Sequence, residues 1–203
     1  MKIAPSILAA DLYDLRAQLE PLRAVGAEII HVDVMDGQFV PNISFGLPVV
    51  RALKGRGFEL DVHLMIERPE RYIEQFISQG ASYLTVHCEA VPRGAIANVL
   101  KRVRVYGAKS GLSLRPNTPV ADIAEFLPFC DLLLIMTVPP GFASTVISGL
   151  LVNANALRQV LSIAASRLSP NTVGVPPPKY TVSTVYFPQN EAASRIWAVS
   201  AFM

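Results

Sequence analysis

The chain has 203 residues, with 18 Lys+Arg against 16 Asp+Glu, and is 51% hydrophobic and only 17% charged. That length holds one domain, or two small ones, and such apolar content supplies a real core and excludes a disordered chain. A net charge of +2, with no basic run longer than the cluster Lys101, Arg102 and Arg104, leaves no nucleic-acid footprint.

Residues 1–10 carry one Lys and a short apolar run that soon meets Asp11, so no signal peptide is expected at the start. Cys88 and Cys130 match no metal-knuckle spacing and make a poor disulfide framework, which fits a reducing, cytoplasmic setting. The window 132–157 has no charge and is long enough for a membrane span. Pro139, Pro140 and Gly141 in its first half, and Asn153 and Asn155 in its second, break it into two pieces, so no span is expected.

Residues 2–8 predict a strand, followed by a helix with Asp11 and Asp14 at its start and Gly26 marking its end. A second strand falls at 28–34. The loop holding Gly37, Pro41 and Asn42 leads to a helix over 47–53 and a strand over 59–66. Pro69 suits the first turn of the next helix, which ends near Gly80. Strands at 83–88, 110–114 and 131–138 alternate with helices at 92–106 and 119–126. A repeat of about 25 residues means parallel strands joined by crossover helices. No Gly-x-Gly-x-x-Gly follows any strand, which weakens a dinucleotide-binding sheet. Six units in about 140 residues extrapolate to eight in about 200, the compact end of the (β/α)8 TIM barrel range. The expected architecture is one barrel domain over 1–203, with 143–203 atypical.

His31, Asp33 and Met35 alternate on one side of their strand while Ile30, Val32 and Val34 fill the other; His63 and Met65 repeat the pattern. In a barrel the polar set points inward near the carboxyl ends of the strands, where such enzymes keep their chemistry. Two imidazoles and a carboxylate form the mixed shell that holds Zn, Fe(II), Mn or Co. A lone inward histidine is ordinarily a hydrogen-bonded core residue. Two of the three His with an Asp fit poorly in an apolar barrel interior. A divalent cation there would stabilise an oxyanion while the carboxylate removes a proton from the adjacent carbon.

The segments Ala4-Pro5-Ser6-Ile7-Leu8, His31-Val32-Asp33-Val34-Met35-Asp36-Gly37-Gln38-Phe39-Val40-Pro41-Asn42 and Asp61-Val62-His63-Leu64-Met65 resemble the ribulose-phosphate 3-epimerase family. So do Thr85-Val86-His87, Asn117-Thr118-Pro119 and Asp131-Leu132-Leu133-Leu134-Ile135-Met136, in order and spacing; the likeness runs over 2–142. The resemblance implies an isomerase of the pentose phosphate pathway that interconverts D-ribulose 5-phosphate and D-xylulose 5-phosphate through an enediolate. It implies one divalent metal ion (Zn, Fe(II), Mn or Co) on two His and two Asp, the aspartates serving also as acid and base on opposite faces. Inversion needs both faces, because a proton leaves one and returns to the other. His31, Asp33 and His63 match the metal positions, and Asp33 matches one acid/base group. His63 is also expected beside the substrate. Ser6 matches a hydroxyl near the substrate and the carboxylates, and Met35, Met65 and Met136 match a ring of thioethers that dries the site. A core-filling role for the three methionines stays open. His87 reads as a packing or supporting histidine, and Asp36 as the organiser of its turn. The implied partner is a small-molecule ketopentose phosphate, with no nucleic acid and no membrane, in a homo-oligomer.

The likeness then fades. Where the family has Asn-Pro-Gly-Phe-Gly-Gly, this chain reads Val138-Pro139-Pro140-Gly141-Phe142-Ala143-Ser144, so Gly141 alone keeps part of a phosphate-binding loop. The family's Val-Asp-Gly-Gly, source of the second acid/base aspartate, compares with Val173-Gly174-Val175-Pro176-Pro177-Pro178, and no Asp follows Asp131. After it the only charged residues are Arg158, Arg167, Lys179, Glu191 and Arg195. Three readings stand: a reading-frame slip in the gene sequence, a diverged or inactive barrel relative that keeps metal or sugar-phosphate binding, or Glu191 as the missing carboxylate.

Overall fold

Aliphatic and β-branched residues dominate the runs that become strands, because a pleated backbone covered on both faces has room for them and no water for polar groups. In the computed structural model, which describes residues 4–136 and 139–141 with the backbone of 184–186 and 195–197, they form β1 (Ile29–Met35), β2 (Glu59–Met65), β3 (Ala81–His87), β4 (Lys109–Leu114) and β5 (Leu132–Ile135). These strands are parallel and lie side by side in chain order. Helices α1 (Leu15–Ala24), α2 (Leu47–Leu53), α3 (Ile73–Ser78) and α4 (Ile96–Val105) alternate with them, the α/β pattern of a (β/α)8 fold.

Two short strands, β6 (Thr184–Tyr186) and β7 (Arg195–Trp197), continue the sheet antiparallel from β5. An antiparallel neighbour takes the edge of β5 that a further parallel βα unit would use, so the described residues show an open sheet and no closed barrel. The segment 173–178, compared above with the family's Val-Asp-Gly-Gly, lies outside the described residues. Of the strand expected over 2–8, the described residues show a single parallel bridge from Ser6 to His31. There the His31 N–H donates to the Pro5 carbonyl at 2.8 Å and the Ile7 N–H to the His31 carbonyl at 3.1 Å.

A side-chain cap marks the first helical turn. Asp11 accepts from the Tyr13 N–H and opens a 3₁₀ turn that runs into α1, and Gly26, at φ +82°, ends the segment. Pro69 begins a 3₁₀ turn ahead of α3. The segment expected as a helix over 119–126 is a 3₁₀ helix, Val120–Phe129. Pro128, inside it, has no N–H to donate, so it adds no helical hydrogen bond near the end of the segment.

The two sheet faces differ. Ile30, Val32, Val34, Val62, Leu64 and Val86 pack with Val50, Ile73, Phe76 and Leu100 of the helices in the main core. On the opposite face Ala4, Ile29, Tyr83, Leu132 and Leu134 cluster at one end. Met35, Val40 and Met65 cluster at the other. Along β1 and β2, His31, Asp33, Asp61 and His63 fall between these apolar groups.

Asp131, just before β5, fastens α4 to the sheet. Its carboxylate accepts from Arg104 Nε at 3.0 Å and Nη2 at 2.8 Å, and from the Ser110 N–H at 2.8 Å. Asp131→Ala removes the acceptor these groups share and is expected to cost about 2 kcal/mol. Urea unfolding checks this: the midpoint should fall with the slope unchanged.

Candidate metal centre

Parallel register places Asp33 beside His63 and His31 beside Asp61. The alternation of the strands then turns all four side chains away from the helices, to one face. His31 is 2% exposed, His63 1%, Asp61 2% and Asp33 9%. Asp33 Oδ1 lies 3.2 Å from His31 Nε2 and 3.1 Å from His63 Nδ1. One donor atom from each of His31, Asp33 and His63 fits within a span of 4.8 Å. An ion with bonds of about 2 Å reaches all three, and two nitrogens with a carboxylate oxygen suit Zn, Fe(II), Mn or Co.

The far nitrogen of each imidazole is already engaged. His31 Nδ1 is 2.9 Å from Asp61 Oδ2, and His63 Nε2 is 2.9 Å from His87 Nε2. Outer partners of this kind orient metal-binding imidazoles. The nitrogens left over both face Asp33, so the donor set fits a divalent cation.

Burial by itself would push His31 down, but the Asp33 and Asp61 carboxylates outweigh it and raise its pKa to about 10. Burial pushes Asp33 up, and the His31 charge with the hydrogen bonds of both imidazoles overcomes this, holding the carboxyl well below its usual range. His63 is lowered, chiefly by burial, and His87 is pushed down to about 4 for the same reason. Glu89 is lowered too, against its burial. Burial raises it, yet hydrogen bonds from His87, the Arg115 N–H and Thr118 bring it to about 2.

Ser6 reaches the centre from the bridge to β1: its hydroxyl donates to Asp33 Oδ2 at 2.6 Å. Met35 and Met65, paired in register, pack with Val40, while Met136 packs against the separate group of Ala4, Ile29, Tyr83, Leu132 and Leu134. Gly141, at φ +89°, brings its backbone against Val40, and its carbonyl accepts from Asn42 Nδ2. Asp36 accepts from the N–H groups of Gln38, Phe39 and Glu67, which makes it a turn organiser. His87, 0% exposed, supports His63.

Three contributors went unread in the sequence. Asp61 shares the parity of His63 and Met65, a signal that could have found it. Ser44, whose hydroxyl donates to the Asp33 carbonyl at 2.6 Å, and Glu89 sit in loops after strands, and no periodicity reports them. Asp61→Asn is expected to weaken zinc binding about 10–100-fold through the orientation of His31. Competition against a chromogenic chelator measures this, and circular dichroism should show an unchanged fold.

Among the described residues no helix is long and apolar enough to cross a membrane. The profile of the ribulose-phosphate 3 epimerase family matches residues 2–169. The chain is 46% identical over 166 residues to ribulose-phosphate 3-epimerase of Treponema pallidum, covering 81% of this chain and 73% of the relative. It is 44% identical over 160 residues to that of Synechocystis sp., covering 78% and 70%. Against the Bacillus subtilis enzyme it is 46% identical over 143 residues, covering 70% and 65%. With a matched profile spanning most of its length and relatives at this identity, the chain belongs to the ribulose-phosphate 3-epimerase family.

Proposed function

We propose that the chain is a metal-dependent epimerase that inverts C3 of D-ribulose 5-phosphate to give D-xylulose 5-phosphate. Family membership supports the reaction, and one observation carries the site: an ionised Asp33 held between two imidazoles, with the Ser6 hydroxyl on its second oxygen. His31, Asp33 and His63 hold the cation, which when bound supplies positive charge to the substrate oxygen that becomes an oxyanion. Asp33 takes the C3 proton from one face. Ser6 orients that carboxylate, and His63 and the Met35, Met65 and Met136 thioethers line the place where the substrate carbons lie. Gly141 contributes to the phosphate end, where Pro139 and Pro140 offer no N–H donors.

Return of the proton to the other face needs a second acid. Asp61 and Glu89 are each bonded to an imidazole, and Glu191, the only acidic residue after Asp131, lies outside the described residues. The test follows C3 of ribulose 5-phosphate in deuterium oxide with Zn, Fe(II), Mn or Co added. Deuterium is expected at C3 in both the recovered ribulose and the xylulose product. Exchange without xylulose would mean that one face alone is served, and absence of exchange with every metal overturns the proposal.

The proposal carries a single domain over 1–203, a homo-oligomer and a cytoplasmic setting. The two free thiols suit a reducing compartment. Sedimentation velocity measures the assembly.

A further inference from the structure

Asp33, His63, His87 and Glu89 stand in a row joined by three contacts. Asp33 Oδ1 meets His63 Nδ1 at 3.1 Å, His63 Nε2 meets His87 Nε2 at 2.9 Å, and His87 Nδ1 meets Glu89 Oε2 at 3.1 Å. Each contact joins two atoms that carry lone pairs, so each needs a proton or a cation between them. Two neutral imidazoles bring two protons. One contact is left for a metal.

Which contact is left is decided at the far end. Glu89 Oε1 accepts from the Arg115 N–H at 2.8 Å and from the Thr118 hydroxyl at 2.5 Å, which fixes the carboxylate and turns Oε2 to His87. A carboxylate only accepts, so His87 must carry its proton on Nδ1. The His87 Nε2 lone pair then faces His63, which must carry the second proton on Nε2. With a cation bound between His63 and Asp33, His63 Nδ1 is left as a lone pair directed at the ion it shares with Asp33. The His63 and His87 rings stack with centroids 4.9 Å apart, and Phe39 packs on His87 at 5.0 Å. Neither ring is free to turn.

We propose that Glu89 and His87 are positioning residues that set the tautomer of His63, sending its proton to Nε2 and presenting Nδ1 to the metal. This rests on the metal centre proposed above and adds two residues to it.

Glu89→Gln makes a sharp test because it keeps the shape and reverses the end of the row. The Arg115 N–H keeps the amide oxygen at the Oε1 position, so the NH2 donates to His87 Nδ1. The His87 proton moves to Nε2, His63 Nε2 becomes the acceptor, and a proton lands on His63 Nδ1 where the metal needs a lone pair. Zinc affinity, read by chelator competition on the full chain, is expected to fall about 10–100-fold. Thr118→Val removes a hydrogen bond from the same carboxylate without placing a donor on His87, and its zinc affinity should stay close to the parent's.

Long-range proton–nitrogen NMR of the zinc-loaded parent protein needs no variant: it should show His63 protonated on Nε2 and His87 on Nδ1. A His87 proton on Nε2 overturns the relay, as does a Glu89→Gln protein that binds zinc as tightly as the parent. A Thr118→Val loss equal to that of Glu89→Gln also overturns it, since loosened packing would then explain both. A parent protein that binds no zinc overturns the metal centre itself, and the relay with it.

Discussion

Asp33→Asn is expected to lower the rate of C3 proton exchange by about 10³-fold or more, because the substitution removes the base that takes the proton. The shape is nearly unchanged, so the outcome reports chemistry. The Ser6 hydroxyl donates to Oδ2 at 2.6 Å and selects the amide oxygen at that position. The NH2 then takes the place of Oδ1, facing His31 Nε2 and His63 Nδ1. A donor pair replaces the acceptor those nitrogens shared, and no anion remains to hold a cation against His31 and His63. Zinc content should therefore fall together with exchange. Ser6→Ala is the comparator: it leaves the Asp33 charge in place and removes one hydrogen bond to it, for an expected loss of about tenfold. Exchange followed by NMR in deuterium oxide, with zinc measured on the same samples, checks both. An Asp33→Asn protein that exchanges within tenfold of the parent would remove Asp33 from the reaction.

Period-two alternation carried the site a long way. His31, Asp33 and Met35 could be assigned to one face of β1, and His63 and Met65 to one face of β2, from positions alone. Parity cannot show how far one strand is shifted against its neighbour. It is the register that sets Asp33 opposite His63 and His31 opposite Asp61, and so gives Asp61 its work on the His31 ring. Glu89 was beyond reach for another reason. It follows β3 in a short 3₁₀ turn and acts through bonds to Arg115 and Thr118, residues far away in the chain. Strand direction leaves no mark in an apolar run, so nothing in residues 184–186 or 195–197 announced antiparallel pairing on β5. Helix type was similarly hidden over Val120–Phe129, where the apolar spacing suits a helix without saying which kind.

Gly111→Ala should be the most damaging single-methyl change in the described part of the sheet. Gly111 of β4 pairs with Thr85 of β3. A Cβ added at Gly111 would stand 2.1 Å from Thr85 Oγ1, 2.8 Å from its Cβ and 3.0 Å from its Cα. The last of these is backbone, so a rotamer change at Thr85 does not relieve the overlap and the strands must separate or shear. Thr85 is 0% exposed, which leaves the displaced atoms nowhere to go. The expected loss is about 3 kcal/mol, at the upper end for overpacking a filled core. For a domain of this size that corresponds to a fall in Tm of roughly 6–12 °C. The disturbance should also reach the metal centre, because Thr85 Oγ1 lies 3.5 Å from Asp61 Oδ1 and Asp61 holds His31. Zinc affinity is therefore expected to drop with stability, although position 111 touches no metal ligand. The exchanged pair Thr85→Gly with Gly111→Ala restores the space and should recover part of the lost Tm, whereas a Gly111→Ala protein melting within a degree of the parent would show that the sheet absorbs the methyl group.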